Sequence, residues 1–319
     1  MTKKQTVLIS GGAGFLGSHL CDYYLAKGST VVAVDNLSTG NTQNIAHIED
    51  NTDFFFVEAD IVKPLPMEVL LHKYDLVLNM ASPASPPQYQ RLGLETLDVG
   101  FTGTRRMLDL ARSSGARFFQ ASTSEVYGDP DVHPQPEKYK GSVNCYGPRS
   151  MYDEAKRVAE SMIWTFRAKY PDMAPNTRIG RFFNTYGPRM DPADGRVVSN
   201  LIVQALRGEP LTVYGKGEQT RSFCYVDDLI EGITRLIDSE ETDPMNLGNP
   251  GEFTIMELAE LVLKLTNSKS KIIFKPLPKD DPLQRKPDIT YAKDSLGWKP
   301  EVPLEHGLLK TIEYFKTVT

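Results

Sequence analysis

The chain has 319 residues, 40% apolar and 24% charged, a balance that suits a globular protein with a large core and room for two subdomains. Its net charge of -5 offers no basic surface to nucleic acid, so any anionic ligand has to be met by a few local cations. Scattered cysteines (Cys21, Cys145, Cys224) and histidines argue against a disulfide framework or a metal site, and no apolar run reaches the ~18 residues of a membrane span.

The N-terminus shows no signal-peptide pattern, so the cytoplasm is the expected compartment. Through the first half, short β-rich runs alternate with helical patterns. Residues 6–10 (TVLIS), 30–34 (TVVAV), 54–58 (FFFVE), 76–79 and 117–121 read as buried strands, and 15–27 and 104–114 as helices between them. A long helix over 150 to about 170 precedes a sixth strand at 177–183. This alternation predicts an α/β fold, a Rossmann-like doubly wound parallel sheet with helices on both faces. Beyond Asn184 proline and glycine become dense and the rhythm breaks, which predicts a smaller C-terminal substrate-binding lobe. A helix at 227–238 and a strand at 245–247 are expected to return to the main sheet. The division is then 1–184 plus about 226–250 for the cofactor, and 185–225 plus 251–319 for the substrate.

Gly11-Gly12-Ala13-Gly14-Phe15-Leu16-Gly17 leaves the first strand and opens the first helix with the spacing Gly-x-x-Gly-x-x-Gly. Glycines allow the tight turn and let backbone N–H groups approach a pyrophosphate at the positive end of a helix. Asp35 ends the second strand about 20 residues on, where a carboxylate hydrogen-bonds the adenosine ribose and repels a 2′-phosphate. The pattern points to NAD rather than NADP. Asp60 and Ile61, at the end of the third strand, are candidates for the adenine edge.

Tyr152 and Lys156 stand one turn apart near the start of the long helix, on one face. An ammonium beside a phenol favours the phenolate, so Tyr152 is expected to titrate below its usual ~10 and to act as a base toward an alcohol. Lys156 can also hold a nicotinamide ribose. The run Ala121-Ser122-Thr123-Ser124-Glu125-Val126-Tyr127-Gly128 ends the fifth strand, where such a sheet opens its ligand crevice. Thr123, Ser124 and Glu125 there can polarise a substrate oxygen and move a proton. Each signal alone is common without function; in this order on one chain they reinforce one another.

These motifs resemble the extended short-chain dehydrogenase/reductase family. Within it, 81–87 (ASPASPP), 121–130 (ASTSEVYGDP), 187–190 (GPRM), 194–200 (DGRVVSN) and 285–288 (RKPD) are similar to the UDP-glucuronate decarboxylase branch. The resemblance implies NAD held and recycled, and a UDP-sugar substrate. It implies a cofactor site of Gly11, Gly14, Phe15, Leu16, Gly17, Asp35, Asn36, Thr39, Gly40, Asp60, Ile61, Met80, Ala81, Ser82, Ala121, Tyr152 and Lys156. For the sugar nucleotide it implies Pro83, Ser85, Tyr89, Thr123, Asn184, Arg196, Asn200, Tyr214, Arg221 and Arg285. Tyr152 would take the C4 hydroxyl proton and Thr123 would hydrogen-bond the C4 oxygen. Carbon dioxide would then leave from the 4-keto sugar, giving UDP-xylose. Lys156, Ser124, Glu125 and Arg285 complete the catalytic set, with Glu125 and Arg285 handling the carboxylate and proton delivery. An arginine does not readily give up its own proton, so Arg285 is expected to act as an electrostatic holder. The resemblance also implies a homodimer through the helices at 104–114 and 150–170; no metal, nucleic acid or membrane partner is expected.

One stretch departs from the pattern. The branch reads Lys-Thr-Asn before its helical Gly-Thr, and that asparagine belongs to the proton relay of the wider family. Here Asp98-Val99-Gly100 stands instead, which is open either to a different sugar or to a helix that mainly packs. The alternatives are a nucleotide-sugar 4,6-dehydratase or 4-epimerase of the same family, or an NAD-binding protein without catalysis. Ser124, where dTDP-glucose 4,6-dehydratases carry an aspartate, argues against the dehydratase. The intact Tyr152, Lys156 and Glu125 argue against a mere binder.

Overall fold

A strand whose residues are apolar on both faces needs cover on both sides. β1 (Thr6–Ser10) has it: Val7, Leu8 and Ile9 are fully buried in the computed structural model, which describes residues 4–277 and 284–319. Six further strands join it: β2 (Thr30–Asp35), β3 (Phe54–Glu58), β4 (Leu76–Asn79), β5 (Arg117–Thr123), β6 (Thr177–Phe182) and β11 (Met245–Leu247). All pair in parallel, in the order β11-β6-β5-β4-β1-β2-β3. This is the doubly wound α/β fold expected. The order reverses between β1 and β4, and in such sheets ligands bind at that point, beyond the carboxyl ends of the strands.

The alternation of side chains assigns the two faces. Val7 and Ile9 join one core with Leu20 and Cys21 of α1 (Phe15–Ala26) and Ile233 of α8 (Val226–Asp238). Leu8 joins the other with Met107 and Leu108 of α5 (Thr104–Ser114) and Ile163 of α6 (Ser150–Lys169). Between β3 and α5 lie the short helices α2 (Met67–Leu70), α3 (Pro86–Arg91) and α4 (Gly93–Asp98).

Several boundaries differ from the sequence reading. β5 runs on to Thr123, so that residue sits on the strand. β3 stops at Glu58, which leaves Asp60 and Ile61 in the turn that follows rather than at the strand's end. The helix before β5 starts well before Thr104: α4 and α5 are joined through a π-turn, Val99–Gly103. Gly93, Gly100, Gly103 and the β-branched Thr96, Val99 and Thr102 hide it, since their intrinsic helix preference is poor and packing on α6 has to supply the stability.

The second half adds short strands and helices beside the sheet. β7 (Thr185–Tyr186) pairs β10 (Cys224–Tyr225), and β8 (Leu211–Tyr214) pairs β13 (Ile272–Lys275). β9 (Thr220–Ser222) lies between β12 (Glu252–Thr254) and β14 (Gln284–Arg285), which brings the chain around residue 285 back to the cleft. Helices α7 (Val197–Leu206), α9 (Ile255–Thr266) and α11 (Leu304–Val318) cover them, while α10 (Thr290–Leu296) packs against β11 and α8. Thr254 and Glu257 start α9 with a reciprocal capping box. Among the described residues no helix is long and apolar enough to cross a membrane.

Candidate active site

One cleft of about 1180 Å³ runs along the carboxyl edge of the sheet, and every candidate residue named from the sequence lines it. At its first end the backbone makes the site. Gly11 has φ +72°, and a Cβ there would lie 2.9 Å from the Cα and nitrogen of Ala81. At Gly17 a Cβ would lie 2.0 Å from the Gly11 carbonyl oxygen. Phe15 and Leu16 begin α1 directly above Gly14, so the helix's unpaired N–H groups open into the cleft. Asp35 is tied to both sides of this end, its carboxylate accepting from the N–H groups of Ala13 (3.1 Å) and Leu37 (2.9 Å). Burial raises its pKa against the pull of those two bonds. A Cβ at Gly40 would meet the Asp35 carboxylate at 2.7 Å, so only glycine leaves that group clear. Asn36 and Thr39 are exposed on the loop between, Ile61 is buried, and Asp60 caps its own turn through Val62 N–H (2.9 Å). Met80 and Ala81 hang from the Ser10 hydroxyl, with N–H distances of 3.2 and 3.4 Å, and Ser82 follows them.

At the centre, side chains make the site. Tyr152 and Lys156 are 7% and 5% exposed, and the Lys156 ammonium donates to the Ala121 carbonyl (3.0 Å). The expected lowering of the Tyr152 pKa does not occur. Burial pushes the phenol up to about 12, overriding a hydrogen bond with Thr123. Burial also lowers Lys156, to about 8. The ammonium is spent on a neutral carbonyl, and the desolvation of both groups wins.

Glu125 sits just past β5. Burial raises its carboxyl, but the guanidiniums of Arg285 (3.3 Å) and Arg149 (2.6 Å) overcome this and hold it at about 2. It therefore rests as a carboxylate. Arg285 is 2% exposed and also donates to the carbonyls of Ser124 and Gly128 (2.9 Å for the latter), so it fastens β14 to the turn after β5. Ser124 contributes its carbonyl to that clasp. Thr123 caps the same turn, its hydroxyl accepting from Glu125 N–H (3.3 Å).

Two members of this corner escaped the sequence reading. Arg149 precedes the long helix by one residue and lies 6.0 Å from the centre of the Tyr89 ring. Tyr89 in turn stacks on Tyr152, with centroids 5.0 Å apart and planes within 9°. The only sequence signal for Arg149 was its place three residues before Tyr152. Asp153, inside the Tyr-x-x-x-Lys spacing, is buried with one oxygen unpartnered; burial and the Glu125 charge push its carboxyl up to about 7.

Toward the second half, the Arg196 guanidinium pairs with Asp194 (2.6 Å), and the Asn200 amide donates to the Gly195 carbonyl (2.9 Å). Arg221 is 8% exposed on β9, and Tyr214 is 39% exposed at the end of β8. Asn184 lies between β6 and β7, and Pro83 and Ser85 lie on the loop into α3; the Ser85 hydroxyl is buried without a partner. As for the departing stretch, Asp98 is exposed on the cleft rim. Gly100 is buried against Ala155 of α6.

Residues 7–248 match a family described as the NAD dependent epimerase/dehydratase family. The chain is 51% identical over 312 residues to UDP-glucuronic acid decarboxylase 1 of Danio rerio, an alignment covering 98% of this chain and 73% of that protein. It is 50% identical over 314 residues to UDP-glucuronic acid decarboxylase 4 of Arabidopsis thaliana, covering 98% and 69%. Among solved structures, the UDP-glucuronic acid 4-epimerase of Bacillus cereus in complex with UDP-glucuronic acid and NAD is similar with a TM-score of 0.89 at 27% identity, covering 99% and 100%.

Proposed function

The chain belongs to the NAD dependent epimerase/dehydratase family, and from that premise we propose that it converts UDP-glucuronate to UDP-xylose and carbon dioxide through a 4-keto sugar, with no net redox change. The glycine cradle fits NAD: Gly11, Gly14 and Gly17 let the loop's own backbone close up tightly at the start of α1, where a pyrophosphate would sit, and Asp35 would take the adenosine ribose. Residues 1–184 with about 226–250 would hold the cofactor, and 185–225 with 251–319 the sugar nucleotide. When bound, NAD supplies a reversible hydride acceptor for C4 of the sugar.

The chain's own residues then carry the protons and the charge. Burial favours the neutral form of Tyr152, so a phenolate formed there takes up the C4 hydroxyl proton more avidly than one in water. Lys156 keeps its ammonium below about pH 8 and would hold the nicotinamide ribose in addition to the Ala121 carbonyl. The 4-keto group lies β to the C6 carboxylate, so the electrons of the C5–C6 bond can move onto the C4 oxygen as carbon dioxide leaves. Thr123 and Tyr152 would donate their hydroxyls to that developing charge. A proton at C5 and re-reduction of C4 complete UDP-xylose. Asn184, Arg196, Asn200, Tyr214 and Arg221 would grip the UDP portion, the arginines through charge-assisted bonds to phosphate.

The observation that carries this reading is the state of Glu125. Paired with Arg149 at 2.6 Å and Arg285 at 3.3 Å, its carboxyl is held well below the usual carboxylate range, which disfavours it as the acid that expels a C6 hydroxyl in a 4,6-dehydration. A decarboxylation needs no acid at C6, so a Glu125 kept as a carboxylate by Arg149 and Arg285 is compatible with it. Incubation with UDP-glucuronate is expected to release carbon dioxide and UDP-xylose without accumulating NADH. No turnover with that sugar would end the reading.

We also propose a homodimer. Leu94, Leu97 and Phe101 are 77%, 39% and 57% exposed along α4 and the π-turn, an apolar stripe at helical spacing that a second copy would cover. Light scattering should give twice the chain mass of 35.7 kDa, and a monomer would remove the proposal. The unpaired thiols of Cys21, Cys145 and Cys224 suit a reducing compartment such as the cytoplasm.

A further inference from the structure

The inner side of the helical run from α4 to α5 is made of small residues where it crosses α6. Thr96, Gly100, Gly103 and Thr104 are all buried, while Leu94, Leu97 and Phe101 point outward. Gly100 lies directly on α6, opposite the Tyr152–Lys156 spacing. A Cβ built on it would stand 2.6 Å from the Ala155 Cβ, 2.7 Å from its carbonyl oxygen and 2.8 Å from its Cα. Ordinary contacts of this kind need 3.4 Å or more. Two of the three atoms are backbone, so no side-chain rotation relieves them, and the helices would have to part by roughly an ångström. Ala155 itself is fully buried and is the residue before Lys156. The contact also falls within the π-turn, a local widening of a helix found mostly where function demands it. The position that carries an asparagine in the wider family thus has no room here for any side chain.

We propose that Gly100 is a positioning residue: its bare backbone is the socket for Ala155, and this contact sets the depth at which α6 presents Tyr152 and Lys156 to the cleft. The inference rests on the reading that those two side chains act on the sugar and the cofactor. Their placement has little slack. The Lys156 ammonium is fixed to the Ala121 carbonyl at 3.0 Å, and the Tyr152 ring is sandwiched against Tyr89 with centroids 5.0 Å apart. A shift of about 1 Å at Ala155 would misalign both, and displacements of that size cost on the order of 100-fold in rate.

The test compares wild type, Gly100→Ala, Ala155→Gly and the double variant, measuring turnover of UDP-glucuronate and, separately, the affinity for NAD by calorimetry. Gly100→Ala is expected to lower kcat ~100-fold with KM for the sugar within about threefold, and to weaken NAD about fivefold or more. Adding Ala155→Gly removes one of the three close contacts and should return at least about fivefold of the lost kcat. Wild-type kcat and NAD affinity in Gly100→Ala, or a double variant no better than the single, would overturn the proposal. Should Gly100→Ala fail to fold, Ala155→Gly decides alone, because it loosens the socket without a clash. A kcat at least about threefold lower is then expected, and unchanged kcat and NAD affinity would refute the role. If the wild type does not turn over UDP-glucuronate, the substrate reading fails, while the NAD affinities still judge the contact.

Discussion

The two ends of the cleft are built by different means. The cofactor end is made of backbone from one stretch, Gly11 to Gly17, with Asp35 and Gly40 pressed against it. The corner proposed to be catalytic is made of side chains from four separate stretches: Tyr89, the Thr123–Glu125 turn, Arg149 with Tyr152 and Lys156, and Arg285 from 160 residues beyond Glu125. Local backbone sites tolerate changes far away and fail at a single glycine. A long-range side-chain site can be weakened from any of its four sources, and its pKa values belong to the cluster rather than to one residue.

The largest effect should come from the centre of the corner. Tyr152→Phe removes the phenol proposed to exchange a proton with the C4 oxygen. It is expected to lower kcat by about 10³-fold while NAD still binds, read by rapid-quench product assays and calorimetry. Retained activity would show that the corner does not depend on its phenol.

Next is Arg149, which sharpens the claim that the corner titrates as a unit. Arg149→Gln removes one of the cations that keep Glu125 low, so burial is less opposed and the carboxyl should rise from about 2 to its ordinary 4.5 or above. Activity lost to protonation of Glu125 would then set in at a higher pH as acid is added. A kcat/KM profile measured from pH 4 to 8 should be flat on its acid side for Glu125 in wild type and show a new fall in the variant. An identical profile in both would separate Arg149 from Glu125.

The smaller effect belongs to the cofactor end. Asp35→Asn removes the charge and one acceptor, because the N–H groups of Ala13 and Leu37 bond different carboxylate oxygens and an amide keeps only one. NAD should bind about tenfold more weakly, with KM for the sugar nucleotide within about twofold. A change confined to the sugar KM would mean the two ends are not the separate structures described above.

The same contrast explains what could be read from the sequence. The glycine loop, Asp35 and the seven expected strands of the sheet were legible, because each is a local pattern of spacing or alternation. Thr104 was taken as the start of a helix that begins at Gly93, since glycines and β-branched residues mask a helix stabilised by its neighbour α6. The Tyr152–Lys156 spacing was legible but its electrostatics were not: one turn of helix suggests a charge pair, whereas burial and the Ala121 carbonyl decide the outcome. Arg149 and Asp153 were missed for a similar reason. Nothing in the neighbouring residues reveals that a carboxylate brought in by β5 and a guanidinium brought in by β14 will face them. Gly100 looked like a loss, and became a contact only once Ala155 stood opposite it.

The central claim is that one site oxidises C4, loses the C6 carboxylate and restores C4 on the same sugar. It is tested most directly with UDP-glucuronate carrying deuterium at C4, analysed by mass spectrometry and NMR of the products. UDP-xylose that retains the deuterium at C4, with one carbon dioxide per sugar, is the predicted result. A six-carbon product, whether epimerised or unchanged, or UDP-xylose that has lost the label, would contradict it.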